Sequence, residues 1–144
     1  MNETSLSLAQ IAQMTMLTQR TLHNYMKRGL LHGEKTAAGW RFSADDFSQF
    51  MEEPFVKAAI RSKHLSMAED FLHRRIPTSG EVCMVYDLAV VTPDLCQTLI
   101  SLCRSSPAVR MAYYQTQSAA RLTLRGEISQ VCNYLCQLQA NKQL

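Results

Sequence analysis

With 144 residues and 47% apolar side chains, the chain has enough material for one ordinary domain or two small ones, which excludes a disordered polymer. The net charge of +3 excludes a polycation, but its distribution is informative. Residues 1–44 hold Arg20, Lys27, Arg28, Lys35 and Arg41 against Glu3 and Glu34, five minus two or +3, while the other hundred residues balance to zero. No run approaches the roughly eighteen apolar residues of a membrane span. The start, Met1-Asn2-Glu3-Thr4-Ser5, has neither the basic cluster nor the apolar stretch of a signal peptide. Five cysteines, all beyond residue 80 and none in a CxxC pair, read as reduced thiols. A cytoplasmic protein is expected.

Ser7-Leu8-Ala9-Gln10 is a capping-box pattern that starts a first helix, running to about Gln13. After a turn through Thr15-Met16-Leu17, Thr18 caps a second helix that ends near Gly29. Ala12, Leu22 and Tyr25 fall where two such helices bury against each other, in a helix-turn-helix. Leu30-Leu31 and Trp40-Arg41-Phe42 read as short strands joined by a tip with Gly33 and Gly39 at its ends. Ser43 caps a third helix with Asp45 and Asp46 in its first turn and Phe47, Phe50 and Met51 facing the core. Pro54 begins a helix over Phe55 to His64, and Ser66-Met67-Ala68-Glu69 is a second capping box opening another through about Arg75.

Ile76 to Gly80 breaks the pattern and marks a linker between a first domain at 1–75 and a second at 81–144. Glu81 to Val91 is rich in strand formers, and Thr92-Pro93-Asp94 is a helix start. The next helix buries Leu95, Leu99, Leu102 and Cys103. Val109 to Gln117 and Ala120 to Arg125 form a strand pair. A last helix from Ile128 shows Ile128, Val131, Cys132, Leu135 and Leu138 as its apolar face. The fold class expected is α+β: an N-terminal winged helix-turn-helix domain followed by a small β-α-β-β-α domain with two helices on one side of its sheet. The other sheet face, or an edge strand, is then available to a partner.

On the second helix Gln19, Arg20, His23, Asn24, Lys27 and Arg28 recur on the outward side, and no acid lies between Glu3 and Glu34. A solvated helix face usually mixes in carboxylates; a phosphate-facing one does not. Such a helix fits the major groove, so Thr18, Gln19, Arg20, Thr21, His23 and Asn24 are candidates at its DNA-facing start. Gln19, Arg20 and Asn24 are the base readers, since Gln and Asn pair with adenine and Arg with guanine. Lys27, Arg28, Lys35 and Arg41 are cast as phosphate clamps. Trp40 is either a cover for the hairpin or a phosphate donor through its indole N–H.

The ordered set Ile11-Ala12, Thr21-Leu22, Tyr25, Gly29-Leu30-Leu31, Gly39 and Arg41 resembles the MerR superfamily of winged-helix transcription factors, over about residues 6–75. Met16 stands where that family usually has a turn glycine, and His23, Asn24 and Met26 also depart from its pattern. Trp40-Arg41-Phe42 followed by Asp45-Asp46-Phe47 is similar to the excisionase branch, whose members bend DNA as architectural proteins. The resemblance implies a sequence-specific regulator that binds double-stranded DNA as a homodimer, with room for a small-molecule effector. The alternatives are an excisionase-like architectural factor, or a protein-interaction adaptor that reuses the winged-helix surface.

No enzyme is expected. His23, His32, His64 and His73 have no nucleophile or metal-ligand partner at a recognisable spacing, and neither a phosphate loop nor a dinucleotide fingerprint is present. Cys96 with Cys103 and Cys132 with Cys136 share helix faces, but dispersed among leucines they read as core residues rather than as a metal or redox sensor. No cofactor, metal or membrane partner is expected.

Overall fold

The computed structural model describes residues 5–73, 79–88, 95–115 and 119–142. A strand, β1 (Ser5–Ser7), leads into α1 (Leu8–Thr15), and the Ser7 capping box is made as the sequence requires. The Gln10 amide donates to Ser7 Oγ at 3.1 Å and the Ser7 amide to Gln10 Oε1 at 2.8 Å. After the turn comes α2 (Gln19–Lys27), capped by Thr18. A hairpin of β2 (Glu34–Thr36) and β3 (Gly39–Ser43) follows, then α3 (Ala44–Glu52), whose Ser43 and Asp46 form a reciprocal cap. The first sheet has the order β1-β3-β2, antiparallel throughout. One expected strand is displaced. Leu30-Leu31 is not a strand; the hairpin begins at Glu34, and β1 takes the other edge of β3. Leu31 instead plugs the core, where it is 2% exposed.

One uninterrupted helix, α4 (Pro54–Leu72), replaces the two expected. Ser66 to Glu69 has the residues of a capping box but sits in mid-helix, where burial of Ile60 before it and Met67 within it holds α4 continuous. The expected linker is described only at Ser79 and Gly80; the helix start at Thr92-Pro93-Asp94 and the end of the helix expected to reach Arg75 lie outside the described residues.

The second half follows the expected order: β4 (Glu81–Leu88), α5 (Leu95–Ser105), β5 (Arg110–Gln115), β6 (Ala120–Glu127) and α6 (Ile128–Lys142). Its sheet is antiparallel with the order β4-β6-β5, so the last strand is central. Leu95, Leu99, Leu102 and Cys103 are buried as expected. The buried stripe of α6 is Val131, Tyr134 and Leu138; Ile128 and Cys132, assigned to it from the sequence, are exposed. The pattern admits this shift because Tyr134, fully buried, supplies the bulk that Cys132 cannot.

The two halves share one core. Phe47 of α3 stacks on Tyr113 of β5, with centroids 6.1 Å apart and an interplanar angle of 20°. Gln115 Nε2 donates to Ser48 Oγ at 3.0 Å. The sheet face expected to lie open is crossed by α4: His64 Nδ1 is 2.6 Å from Thr123 Oγ1, and the Arg61 guanidinium lies 5.6 Å from the Tyr114 ring centre. Burial pushes the His64 imidazole below its ordinary pKa, and the Arg121 charge adds to that depression.

Candidate nucleic-acid interface

The turn between α1 and α2 sets the angle at which the second helix is presented. Its pivot is Met16, whose φ of 63° is left-handed, and whose amide donates to Ala12 O at 2.9 Å. A side chain in that region strains the backbone by about 1–2 kcal/mol, the reason glycine is the usual occupant. Burial of Met14, Thr15 and Leu17 on either side holds the turn against this strain. Thr15 Oγ1 donates to Ile11 O at 2.8 Å and accepts from the Leu17 amide at 3.3 Å.

From there α2 is oriented by two buried residues one turn apart, Leu22 and Tyr25. Their burial leaves Gln19, Arg20, His23, Asn24, Lys27 and Arg28 exposed on one continuous face. Thr18 and Thr21 serve first as local structure. The Thr21 amide donates to Thr18 Oγ1 at 3.1 Å, and the two hydroxyls lie 2.9 Å apart. Arg28 is not free to wander: its guanidinium lies 4.6 Å from the ring centre of Phe55, which packs edge-on against Tyr25. Phe55, 55% exposed at the start of α4, was not among the residues singled out from the sequence. Its only signal there was an aromatic following a helix-starting proline.

The hairpin lies beside this face. Lys35 is exposed with its ammonium 5.8 Å from the Trp40 ring centre, and Trp40 stacks on Phe42 at 6.5 Å. Trp40 is half-buried, so it covers the hairpin core while keeping an edge toward α2. Between helix and hairpin runs a cleft of about 400 Å³ lined by His23, Met26, Lys27, Leu31, His32, Gly33 and Trp40. A Cβ on Gly33 would strike the Phe42 ring and come within 2.9 Å of Arg41 O, so only glycine lets the chain pass there. His32 joins the face through this cleft and carries no periodic signal in the sequence.

Arg41 stands apart from the other basic groups. Its guanidinium is turned to β1, with Nη2 donating to Ser5 O at 3.1 Å and Ser5 Oγ at 2.7 Å, and Nε to Ser5 Oγ at 3.2 Å. The structure thus brings together Gln19, Arg20, His23, Asn24, Lys27, Lys35 and Trp40, adds His32, and gives Arg41 a structural contact.

Among the cysteines, burial raises the pKa of the Cys83 and Cys103 thiols, which leaves little thiolate at neutral pH. Cys132 and Cys136 are exposed, contrary to the core reading. Among the described residues no group of three or more His, Cys, Asp or Glu could hold a metal ion. No described helix is long and apolar enough to cross a membrane.

Residues 6–50 match the family model described as MerR HTH family regulatory protein. That span runs from β1 to α3 and contains the whole helix pair and hairpin. No curated protein and no solved structure matches the chain significantly.

Proposed function

Residues 6–50 form a MerR-type helix-turn-helix region, and from that premise we propose that this protein is a sequence-specific regulator of transcription that binds double-stranded DNA as a homodimer in the cytoplasm. One observation carries the reading: the exposed face of α2, together with the hairpin beside it, offers Gln19, Arg20, His23, Asn24, Lys27 and Lys35, and α2 itself contains no acid. The helix enters the major groove, where Gln19, Arg20 and Asn24 read base edges. Lys27, Arg28 and Lys35 contact phosphates, and Phe55 holds Arg28 in place for that contact. Residues 1–75 do the reading, and residues 81–144 join the two copies. The reading calls for no catalytic step and no cofactor.

Selection of bound duplexes from a random pool, followed by a salt titration on the winner, tests this. An enriched inverted repeat is the expected result. Absence of any sequence preference, with binding abolished at moderate salt, would sink the regulator reading and favour an adaptor. On the selected site, Arg20→Ala is expected to relax preference at one base pair, by about 1–3 kcal/mol of discrimination. Unchanged preference would remove Arg20 from the base readers.

A further inference from the structure

We propose that the outer edge of β4 joins two copies of this chain, paired antiparallel about a two-fold axis through Val85 and perpendicular to the sheet. The result is one continuous six-stranded sheet. In each copy β6 is central, and the β5 side carries the contacts of α1 and α3. The outer edge of β4 meets no strand among the described residues. An unpaired edge is a template for another strand, and proteins that keep such edges single blunt them with proline, lysine, bulges or short length. Strand β4 has none of these. It runs eight residues without proline or lysine, and its register with β6 is unbroken from Glu81 to Leu88.

Its two acids are held from the inner side. Arg121 grips Asp87 with two hydrogen bonds of 2.7 and 2.9 Å, and Arg125 Nε lies 3.8 Å from Glu81 Oε1. Between them Val85 is 55% exposed, one residue beyond their midpoint at Met84. A two-fold axis perpendicular to the sheet maps each face onto itself, so the axis must pass through a residue. Centred on Met84, the pairing sets Glu81 against Asp87, acid opposite acid. Centred on Val85, it sets Val85 against its own copy, Met84 against Tyr86, Val82 against Leu88 and Cys83 against Asp87. On the face bearing Met84 and Tyr86 every such pair is apolar, and the like-charge contact is gone. Of the two registers that pair seven residues of the strand with its copy, only the one centred on Val85 avoids the like-charge contact.

The same geometry frees the DNA-reading surfaces. With the β4 edges joined, the two β5 strands lie at the far ends of the sheet, five strand spacings or about 24 Å apart. Each reading module is attached there, through the α1 and α3 contacts with β5. Two-fold symmetry with modules at opposite ends suits an inverted repeat with half-sites a helical turn or more apart. This last point rests on the proposed DNA binding; the strand pairing does not.

Sedimentation equilibrium of the full chain without DNA tests the interface. A dimer is expected for the wild type. Val85→Lys sets two ammonium groups face to face on the axis and is expected to raise the dissociation constant about ten-fold or more, with secondary structure unchanged by circular dichroism. Leu72→Lys, at a residue 75% exposed on α4, is expected to leave the dimer intact. A wild type that is monomeric at every concentration overturns the proposal, as does a dimer broken by Leu72→Lys and not by Val85→Lys. If Val85→Lys fails to fold, hydrogen exchange on the wild type decides. Amides of residues 81–88 gain protection with rising concentration if β4 pairs, and unchanged protection overturns the pairing. An intact dimer that selects no DNA sequence overturns the function and leaves this interface standing.

Discussion

At the scale of single residues, two side chains do something other than their position in a helix-turn-helix pattern suggests. Met16 occupies a left-handed turn position with φ 63°. Replacing it with glycine removes the backbone strain and gives back some unfolded-chain entropy, so Met16→Gly is expected to stabilise the protein by about 0.5–1 kcal/mol. A chemical denaturation midpoint that rises at constant slope checks this. Arg41 holds Ser5 by three hydrogen bonds, two of them to the same hydroxyl, and thereby ties β1 to β3. Loss of this charged contact should cost about 1–3 kcal/mol. Arg41→Ala is therefore expected to lower thermal stability. Lys27→Ala, at an exposed position, is expected to spare stability and flatten the salt dependence of DNA binding by about one unit of log–log slope. If Arg41→Ala melts like the wild type and instead flattens the salt slope, the phosphate-clamp role read from the sequence is the correct one.

At the scale of elements, α4 couples the halves, and His64 is the titratable group in that contact. Its Nδ1 sits 2.6 Å from Thr123 Oγ1, and its Nε2 is buried without a hydrogen-bond partner among the described residues. Arg61 and Arg121 both lie near the Tyr114–His64 pair, so a further positive charge there is disfavoured. Because the folded pKa is depressed, the neutral ring is the form the fold prefers. Stability from this contact is complete above the ordinary histidine pKa of about 6.5 and declines as pH falls below it. Urea unfolding at pH 7.5 and pH 5 is expected to show weaker stability at the lower pH, with a smaller difference in His64→Gln. An equal difference in both proteins would place the pH dependence elsewhere. The helix starts were legible in the sequence because caps are local chemistry: Ser7 with Gln10, Thr18 with Thr21 and Ser43 with Asp46 all form as the spacing requires. The same chemistry misled at Ser66, where burial of Ile60 and Met67 overrides a local signal. Strand β1 escaped notice because an alternation of only three residues is too short to carry a pattern; a distant partner, β3, makes them a strand. The exposed polar face of α2 was largely legible, since one helix face obeys a fixed period. Phe55 and His32 were not, because they reach that face through tertiary packing.

At the scale of the whole molecule, the ring stack of Phe47 on Tyr113 and the bond from Gln115 to Ser48 cross between the halves, and one apolar cluster contains residues of both. A molecule with one core unfolds as one unit. Scanning calorimetry is expected to give a single transition whose calorimetric and van't Hoff enthalpies agree; two resolved transitions would show that the halves melt separately. The Phe47 stack also bears on transplantation. The helix pair and hairpin are not a portable cassette, because grafting residues 1–75 onto a foreign partner would leave Phe47 and Ser48 facing water where Tyr113 and Gln115 now stand. A chimera that keeps α3 packed as it is here must carry β5 with it, or recreate an aromatic shelf at that spot.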